Sequence, residues 1–425
     1  MIFDKELIEQ IRSAFPRAVT DLNGRKRAFF DNGTATLVVD KAAKAEAEAR
    51  INCSANVGAI FNESKQAEAV IQAGRQAVAE FLNATSPATI ISGESATSLF
   101  FNLSYALSKE LSGNENIVTT NYEHYTNVSP WIELERRGKI QKLRFTKLNM
   151  EEGTLDMENL QELVDSKTKI IAVTSASNML GTKTPLKEIG KIAKEVGAYF
   201  LVDAVHHIAH GPTDVQDIDC DFLVFSGYKL FSSHGSYMYG KKEHLDTLKP
   251  FKVKPAPNDP PGKFEWGTRN QATFASISGT IEHFLWLSNK IKSQYEGKYL
   301  NFESRKRDLK IVMDAIEKYE KELSRAVLTG IDEIPGVKVF GLTDINRISE
   351  RDPTFSIEVE NISGEELATR LWKEGAIAAR AGHYYSYAQD VYKKPKVYRI
   401  SLVHYNTIEE ISIFLKTLKE ICKKI

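Results

Sequence analysis

A single lysine stands at an abrupt break in an apolar run. Phe222-Leu223-Val224-Phe225 reads as a buried strand, and Ser226-Gly227-Tyr228-Lys229 stops it. A lysine in that place is either a hydrated end residue or a reactive amine. Two further β-rich runs end on polar groups in the same way. Ser177-Asn178 follows Ile170-Ile171-Ala172-Val173-Thr174, and Asp203 follows Tyr199-Phe200-Leu201-Val202. In open α/β sheets ligands bind beyond the carboxyl ends of the strands, so these groups fall at one edge of one sheet. Taken singly, a strand-end Asp caps a turn and a strand-end Lys is solvated. Taken together, they are a constellation.

A carboxylate beside a lysine is a plain ion pair, or it is the pair that holds pyridoxal phosphate. In the second reading the lysine is the Schiff-base amine and the acid partners the pyridinium nitrogen. The lysine is a good nucleophile only where desolvation and nearby positive charge lower its pKa. Such a cofactor also needs a phosphate cup. Ser92-Gly93-Glu94-Ser95-Ala96-Thr97 lies between Thr89-Ile90-Ile91 and a helical pattern, so its free amides and the helix dipole attract an anion. An ordinary capped strand-to-helix turn has the same residues. His124, after the strand-like IVTTNY, is a ring able to lie over a pyridine.

The elements that must position these groups are legible as a pattern. Apolar strands alternate with helical periods through the middle of the chain, as in Leu186, Ile189, Ile192, Ala193 and Val196 on one helix face, closed by Gly197. Continuous apolar strands separated by helices predict a mostly parallel sheet buried on both faces. The stretch 248–264 carries five of the 13 prolines and reads as an extended excursion. A long helical pattern starts near 272, and after about 300 the texture becomes helices plus β-rich segments such as VKVFGL and FSIEVE. That is a smaller α+β unit, completed by the amphipathic N-terminal helix.

Composition bounds the function classes. The 425 residues are 42% hydrophobic and 26% charged, as in ordinary globular proteins. Basic and acidic residues balance at 56 each, so there is no bulk electrostatic case for nucleic acid or a membrane surface. No stretch approaches the roughly 18 apolar residues of a membrane span. Cys53, Cys220 and Cys422 lie far apart without CxxC spacing. That predicts no disulfide framework, no zinc or other metal site, and a reducing cytoplasmic setting.

The order of motifs resembles the class V aminotransferase family of pyridoxal-phosphate enzymes, in its cysteine desulfurase-like branch, over essentially the whole chain. The pieces are FFDNGTA, SANVG (54–58), GESAT (93–97), EHYTN (123–127), SASNMLG (175–181), LVDAVHH (201–207), FSGYKLF (225–231), FEWGTRN (264–270), RAGHY (380–384) and YRISLVHYNT (398–407). The resemblance implies fold type I, with a seven-stranded, mostly parallel sheet flanked by helices on both faces and a smaller C-terminal α+β domain. The expected division is an N-terminal helix over 1–25, a large cofactor domain over 26–285 and a small domain over 286–425.

Carried over by residue, the resemblance makes Lys229 the cofactor lysine, Asp203 the partner of the ring nitrogen and His124 the stacking ring. Asn178 and His206 fall near the phenolic oxygen, and the family's usual residue at 206 is Gln. Ser95, Ala96, Thr97, Ser226 and Tyr228 hold the phosphate, Tyr228 standing where His is usual. Thr268 reaches the phosphate of a neighbouring subunit, which implies a homodimer. Arg399 grips the substrate α-carboxylate, and Arg380 is a second active-site arginine. Asn32, Gly33, Thr34 and the 56–58 segment line the substrate mouth.

One departure bears on the reaction. Desulfurases of this branch carry a cysteine just after Arg-x-Gly-His; here Tyr385 stands in its place, within a Tyr384, Tyr385, Tyr387 group. A phenol cannot store sulfane sulfur. The expectation is therefore an amino-acid enzyme without a persulfide cysteine, running β-elimination, with transamination and epimerisation as alternatives. A catalytically silent binding or scaffold protein on the same fold is the alternative of another class.

Overall fold

The computed structural model describes residues 2–424. A central sheet is built from β1 (Ile90–Gly93), β2 (Asn116–Thr120), β3 (Lys142–Thr146), β4 (Thr168–Thr174), β5 (Tyr199–Asp203), β6 (Phe222–Ser226) and β7 (Ser236–Gly240). Their order is β1-β7-β6-β5-β4-β2-β3, and only β7 runs antiparallel to its neighbours. The continuous apolar runs explain this. Ile170, Ile171, Ala172 and Val173 are all fully buried, as are Val202, Phe222, Leu223 and Phe225, so both sheet faces must be covered. Helices do so, among them Leu186–Val196, which buries Ile189 and Ala193 and ends at Gly197 with φ 69°. The fold is the mostly parallel α/β sheet expected of fold type I.

A second sheet is antiparallel throughout: β8 (Val337–Phe340), β9 (Thr354–Val359), β10 (Arg380–Gly382) and β11 (Val397–Ser401), in the order β8-β9-β11-β10. The chain start is threaded against it. Ala28–Phe29 pairs in parallel with Ile377–Ala378, and Ser401 N donates to Phe30 O at 2.6 Å. This pairing carries Asn32, Gly33 and Thr34 to the carboxyl edge of the first sheet. Gly33 must be glycine there: a Cβ would strike Ser401 Oγ and come within 3.1 Å of Arg399 Cζ. Among the described residues no helix is long and apolar enough to cross a membrane.

Candidate active site

The carboxyl edge of β4, β5 and β6 opens into a cavity of about 280 Å³. Asp203 reaches it from the end of β5, Ser226 from the end of β6, and Tyr228 and Lys229 from the short turn that follows. Ser95, Ala96 and Thr97 reach it from the start of the helix Ala96–Leu107. His124, Asn178, His206, Gly33, Thr34, Arg380, Tyr385 and Arg399 complete the lining, with Thr126, Thr174, Val205 and Tyr384. Fifteen of the seventeen individual site residues expected from the sequence line this cavity, and two lie elsewhere.

Asn32 is one. Its side chain is buried and spent on Ser401 O (2.8 Å), Asn406 Oδ1 (3.1 Å) and the Tyr405 hydroxyl, so it braces the chain start instead of lining the mouth. Thr268 is the other. It lines two different clefts with Trp266, Gly267 and Arg269. Asn56 and Val57 also line one of those clefts, not the Lys229 cavity. Of the tyrosine group, Tyr387 is stacked on Phe145 with ring centroids 4.7 Å apart, away from the lining.

Electrostatics follow from enclosure. Burial, then Arg399, lower the Lys229 pKa to about 7, against the opposing pull of Asp31 and Asp203. The amine donates to Gly33 O. Burial raises Asp203 to about 6, although the Val205 amide donates to its Oδ1 at 2.9 Å and Lys229 draws it down. His124 is lowered to about 4 by burial and by Lys229 and Arg399, so its ring is neutral at pH 7. The Thr126 amide donates to its Nδ1 at 3.0 Å, which leaves the proton on Nε2.

Arg399 is fully buried. It donates to Asn178 O (2.7 Å) and Thr34 Oγ1 (2.9 Å), and its Cζ lies 3.7 Å from the Tyr384 ring centroid. Arg380 sits directly opposite it across β10 and β11, with its Cζ 5.2 Å from the same ring. Two cations paired across strands repel, and an anion between them relieves that cost. Thr97 and Thr126 hydroxyls meet at 2.9 Å, and Ser226 and Ser236 hydroxyls at 2.8 Å. Ser95 caps its helix through Ser98 N at 3.1 Å, so the first-turn amides behind it face the cavity.

The residues present fit pyridoxal phosphate. The helix start offers amides to a phosphate, and the lowered lysine can capture an aldehyde. The buried Asp203 carboxylate has one backbone donor and room for a ring N–H. Asn178 Oδ1 and Arg399 Nε are buried without partners, as polar atoms are where a ligand completes the site.

Two supporting residues escaped the sequence reading. Glu123 is buried beneath the site and accepts from Thr120 Oγ1 (2.6 Å), Thr174 N (2.8 Å) and Asn127 Nδ2 (2.8 Å), so it locks the end of β2 to the end of β4. Glu265 accepts from Arg75, Ser92 and Arg269 and holds the loop that carries Thr268. Each acid is in a quoted motif, but its partners lie far off in sequence. His206, His210 and Asp352 bring one possible metal-ligating atom each within 4.8 Å of the others. All three already have protein partners: Thr354 for His206, Glu320 for His210, and His207 for Asp352.

A family model described as aminotransferase class V matches residues 28–301 and 308–414. The chain belongs to the class V aminotransferase family. It is a family of pyridoxal-phosphate enzymes, and the cavity is built for that cofactor. The chain is 28% identical to a cysteine desulfurase of Pectobacterium atrosepticum, over 97% of this chain and 98% of that one. It is 29% identical to a probable cysteine desulfurase of Synechocystis, over 97% and 95%. It is 27% identical to the aminotransferase-like protein FGM3 of Gibberella zeae, over 97% and 98%. Among solved structures, apo cysteine desulfurase from Thermococcus onnurineus NA1 superposes with a TM-score of 0.84 at 24% identity, over 98% of each chain. The class V chain is thus similar to cysteine desulfurases over nearly its whole length and shares their fold. At position 385 it carries tyrosine, and the described residues lining its cavity include no cysteine.

Proposed function

We propose that this class V chain acts on an amino acid by β-elimination, releasing the β-substituent without passing it to a cysteine of its own. The carrying observation is the cavity lining: a lowered lysine, a buried arginine and a neutral histidine donor around one space, with no thiol. When bound, pyridoxal phosphate supplies an electron-accepting ring conjugated to the substrate α-carbon. Arg399, held by Thr34, Asn178 and the Tyr384 face, receives the α-carboxylate as a bidentate pair. Asp203 would hold a proton on the ring nitrogen. Ser95, Ala96, Thr97, Ser226 and Tyr228 hold the phosphate. Lys229 Nζ takes the α-proton, because a pKa of about 7 leaves a large neutral fraction at pH 7. His124, neutral and with its proton on Nε2, would offer that N–H as a hydrogen bond to the departing group. Tyr385, 67% exposed on the lip, borders the β-substituent.

Persulfide-forming desulfuration is the second reading, favoured by the names that the relatives carry. The cysteines argue against it. Cys53 is buried among Ala49, Ala67, Ala272 and Ala275, Cys220 is buried beside β6, and burial raises both thiols. We further propose a homodimer, in which Thr268 completes the partner's phosphate site.

A panel of amino acids with β-leaving groups tests the reaction. Elimination yields a 2-oxo acid and ammonia in equal amounts plus the intact leaving group, and Cys53→Ala leaves the rate unchanged. Conversion of the cofactor to its amine form, a D-amino acid product, or sulfur retained on the protein overturns it. Replacing Arg399 by Lys should raise KM about 100-fold, roughly 2.7 kcal/mol of lost carboxylate grip.

A further inference from the structure

The order of groups along the sheet edge fixes what faces each flank of a ring held there. The helix start with Ser95 and Thr97 follows β1, Ser226 ends β6, Asp203 ends β5, and Thr174 with Asn178 follows β4. In the sheet order β1-β7-β6-β5-β4, the phosphate-holding groups and Asn178 lie on opposite sides of Asp203. A pyridoxal ring with its nitrogen on Asp203 and its aldehyde carbon toward Lys229 carries its phosphate arm on one side and its phenolic oxygen on the other. The oxygen would therefore fall on the flank of Asn178, with His206, from the turn after β5, in the same lining.

Hydrogen bonding determines what those two side chains present. Thr354 Oγ1 donates its one proton to Ser401 Oγ at 2.8 Å. It also lies 3.0 Å from His206 Nε2, so its lone pair must receive the proton of that nitrogen. The His206 proton is thus on Nε2, and Nδ1 is an acceptor without a hydrogen-bonded protein partner among the described residues. Burial, with His210, Lys229 and Arg399 nearby, keeps the ring neutral against the opposing pull of Asp352. Asn178 is oriented the same way. Its Nδ2 donates to Tyr384 O at 2.9 Å, so Oδ1 is the free atom, and it is buried with no partner. Of the charged donors on the lining, Lys229 Nζ donates to Gly33 O, and the two terminal nitrogens of Arg399 donate to Asn178 O and Thr34 Oγ1.

We infer that His206 and Asn178 form an acceptor pair that keeps the cofactor's ring oxygen protonated, with His206 as the residue that positions that proton. The inference rests on the cofactor reading of the site. A phenolate on this flank would face two lone pairs, whereas a phenol O–H satisfies the acceptors it meets. The proton then stays on oxygen instead of on the nitrogen that joins the cofactor to Lys229. The amide at position 206 in the resembling family can donate where this histidine accepts.

Absorbance of the holoenzyme tests this. The neutral phenol form absorbs in the near ultraviolet and the ionised form in the visible. The wild-type protein loaded with pyridoxal phosphate at neutral pH should show chiefly the near-ultraviolet band. His206→Gln should raise the visible-to-ultraviolet ratio about tenfold, one pKa unit at the ring oxygen. Thr354→Val, which frees His206 to carry its proton on Nδ1, should shift the ratio in the same direction. A wild-type spectrum dominated by the visible band, or a ratio unmoved by His206→Gln, overturns the inference. Borohydride reduction and peptide mapping of the same samples separate the two levels. A pyridoxyl group on Lys229 with an unmoved ratio rejects the acceptor pair alone. Absence of that group from Lys229 rejects the cofactor reading and the inference with it.

Discussion

Lys229 is an enclosed amine, held down first by burial and then by Arg399, and that sets how the apo-protein captures its cofactor. Only the unprotonated amine attacks an aldehyde. With a pKa of about 7, acid below that value removes the reactive form, about tenfold per pH unit, and alkali above it adds nothing. Stopped-flow mixing with pyridoxal phosphate should give a rate that climbs to a break near pH 7 and then levels. Arg399 helps hold the Lys229 pKa down, so Arg399→Gln should move the break to higher pH. A break that stays in place in the variant would remove Arg399 from the causes. At this scale the sequence was informative. Lys229, Asp203 and Asn178 read as strand-end groups and His124 as a stacking ring, and all four line one cavity. Asn32 was not placed correctly, because the same motif that delivers Gly33 and Thr34 turns it into the brace against Asn406.

Among the elements, the loop 264–270 shows how a site is held by partners remote in sequence. Arg75 meets both Glu265 carboxylate oxygens at 2.7 Å and donates to Ile90 O at 2.6 Å, and the Ser92 amide and hydroxyl reach the same acid at 2.9 and 2.7 Å. One buried carboxylate thus ties the loop to β1 and to the helix Asn62–Phe81. Glu265→Ala leaves Arg75 buried and unpaired, a loss of about 3–5 kcal/mol that urea denaturation will read. Glu265→Gln, which keeps one acceptor, should lose less. Equal stability of Glu265→Ala and wild type would show that the pair carries no net weight. The motif EWGTRN was visible in the sequence, but its acid could not be matched with Arg75 without the tertiary contact.

For the molecule as a whole, two exposed apolar side chains, Val253 and Trp266, stand at a cleft that Thr268 lines. Val253 is 57% exposed and Trp266 51%. Apolar surface of this kind is where a second copy gains by burial. Sedimentation equilibrium should report a dimer, and the double variant Val253→Glu, Trp266→Glu should sediment as a monomer that retains cofactor poorly. A wild-type monomer with full cofactor retention would refute the shared-site arrangement.

The one-dimensional pattern was enough to settle the class of fold and the kind of chemistry. Apolar runs must be buried on both faces, and a parallel sheet then delivers their polar ends to a common edge whatever else the chain does. Register and long-range packing settled the rest. Arg380 opposite Arg399, Tyr384 beneath both guanidinium groups, and Gly33 against Ser401 are contacts between segments that pair only in three dimensions. The proton position on His206 belongs to that second group, because it depends on a threonine 148 residues away and on which hydroxyl that threonine in turn serves.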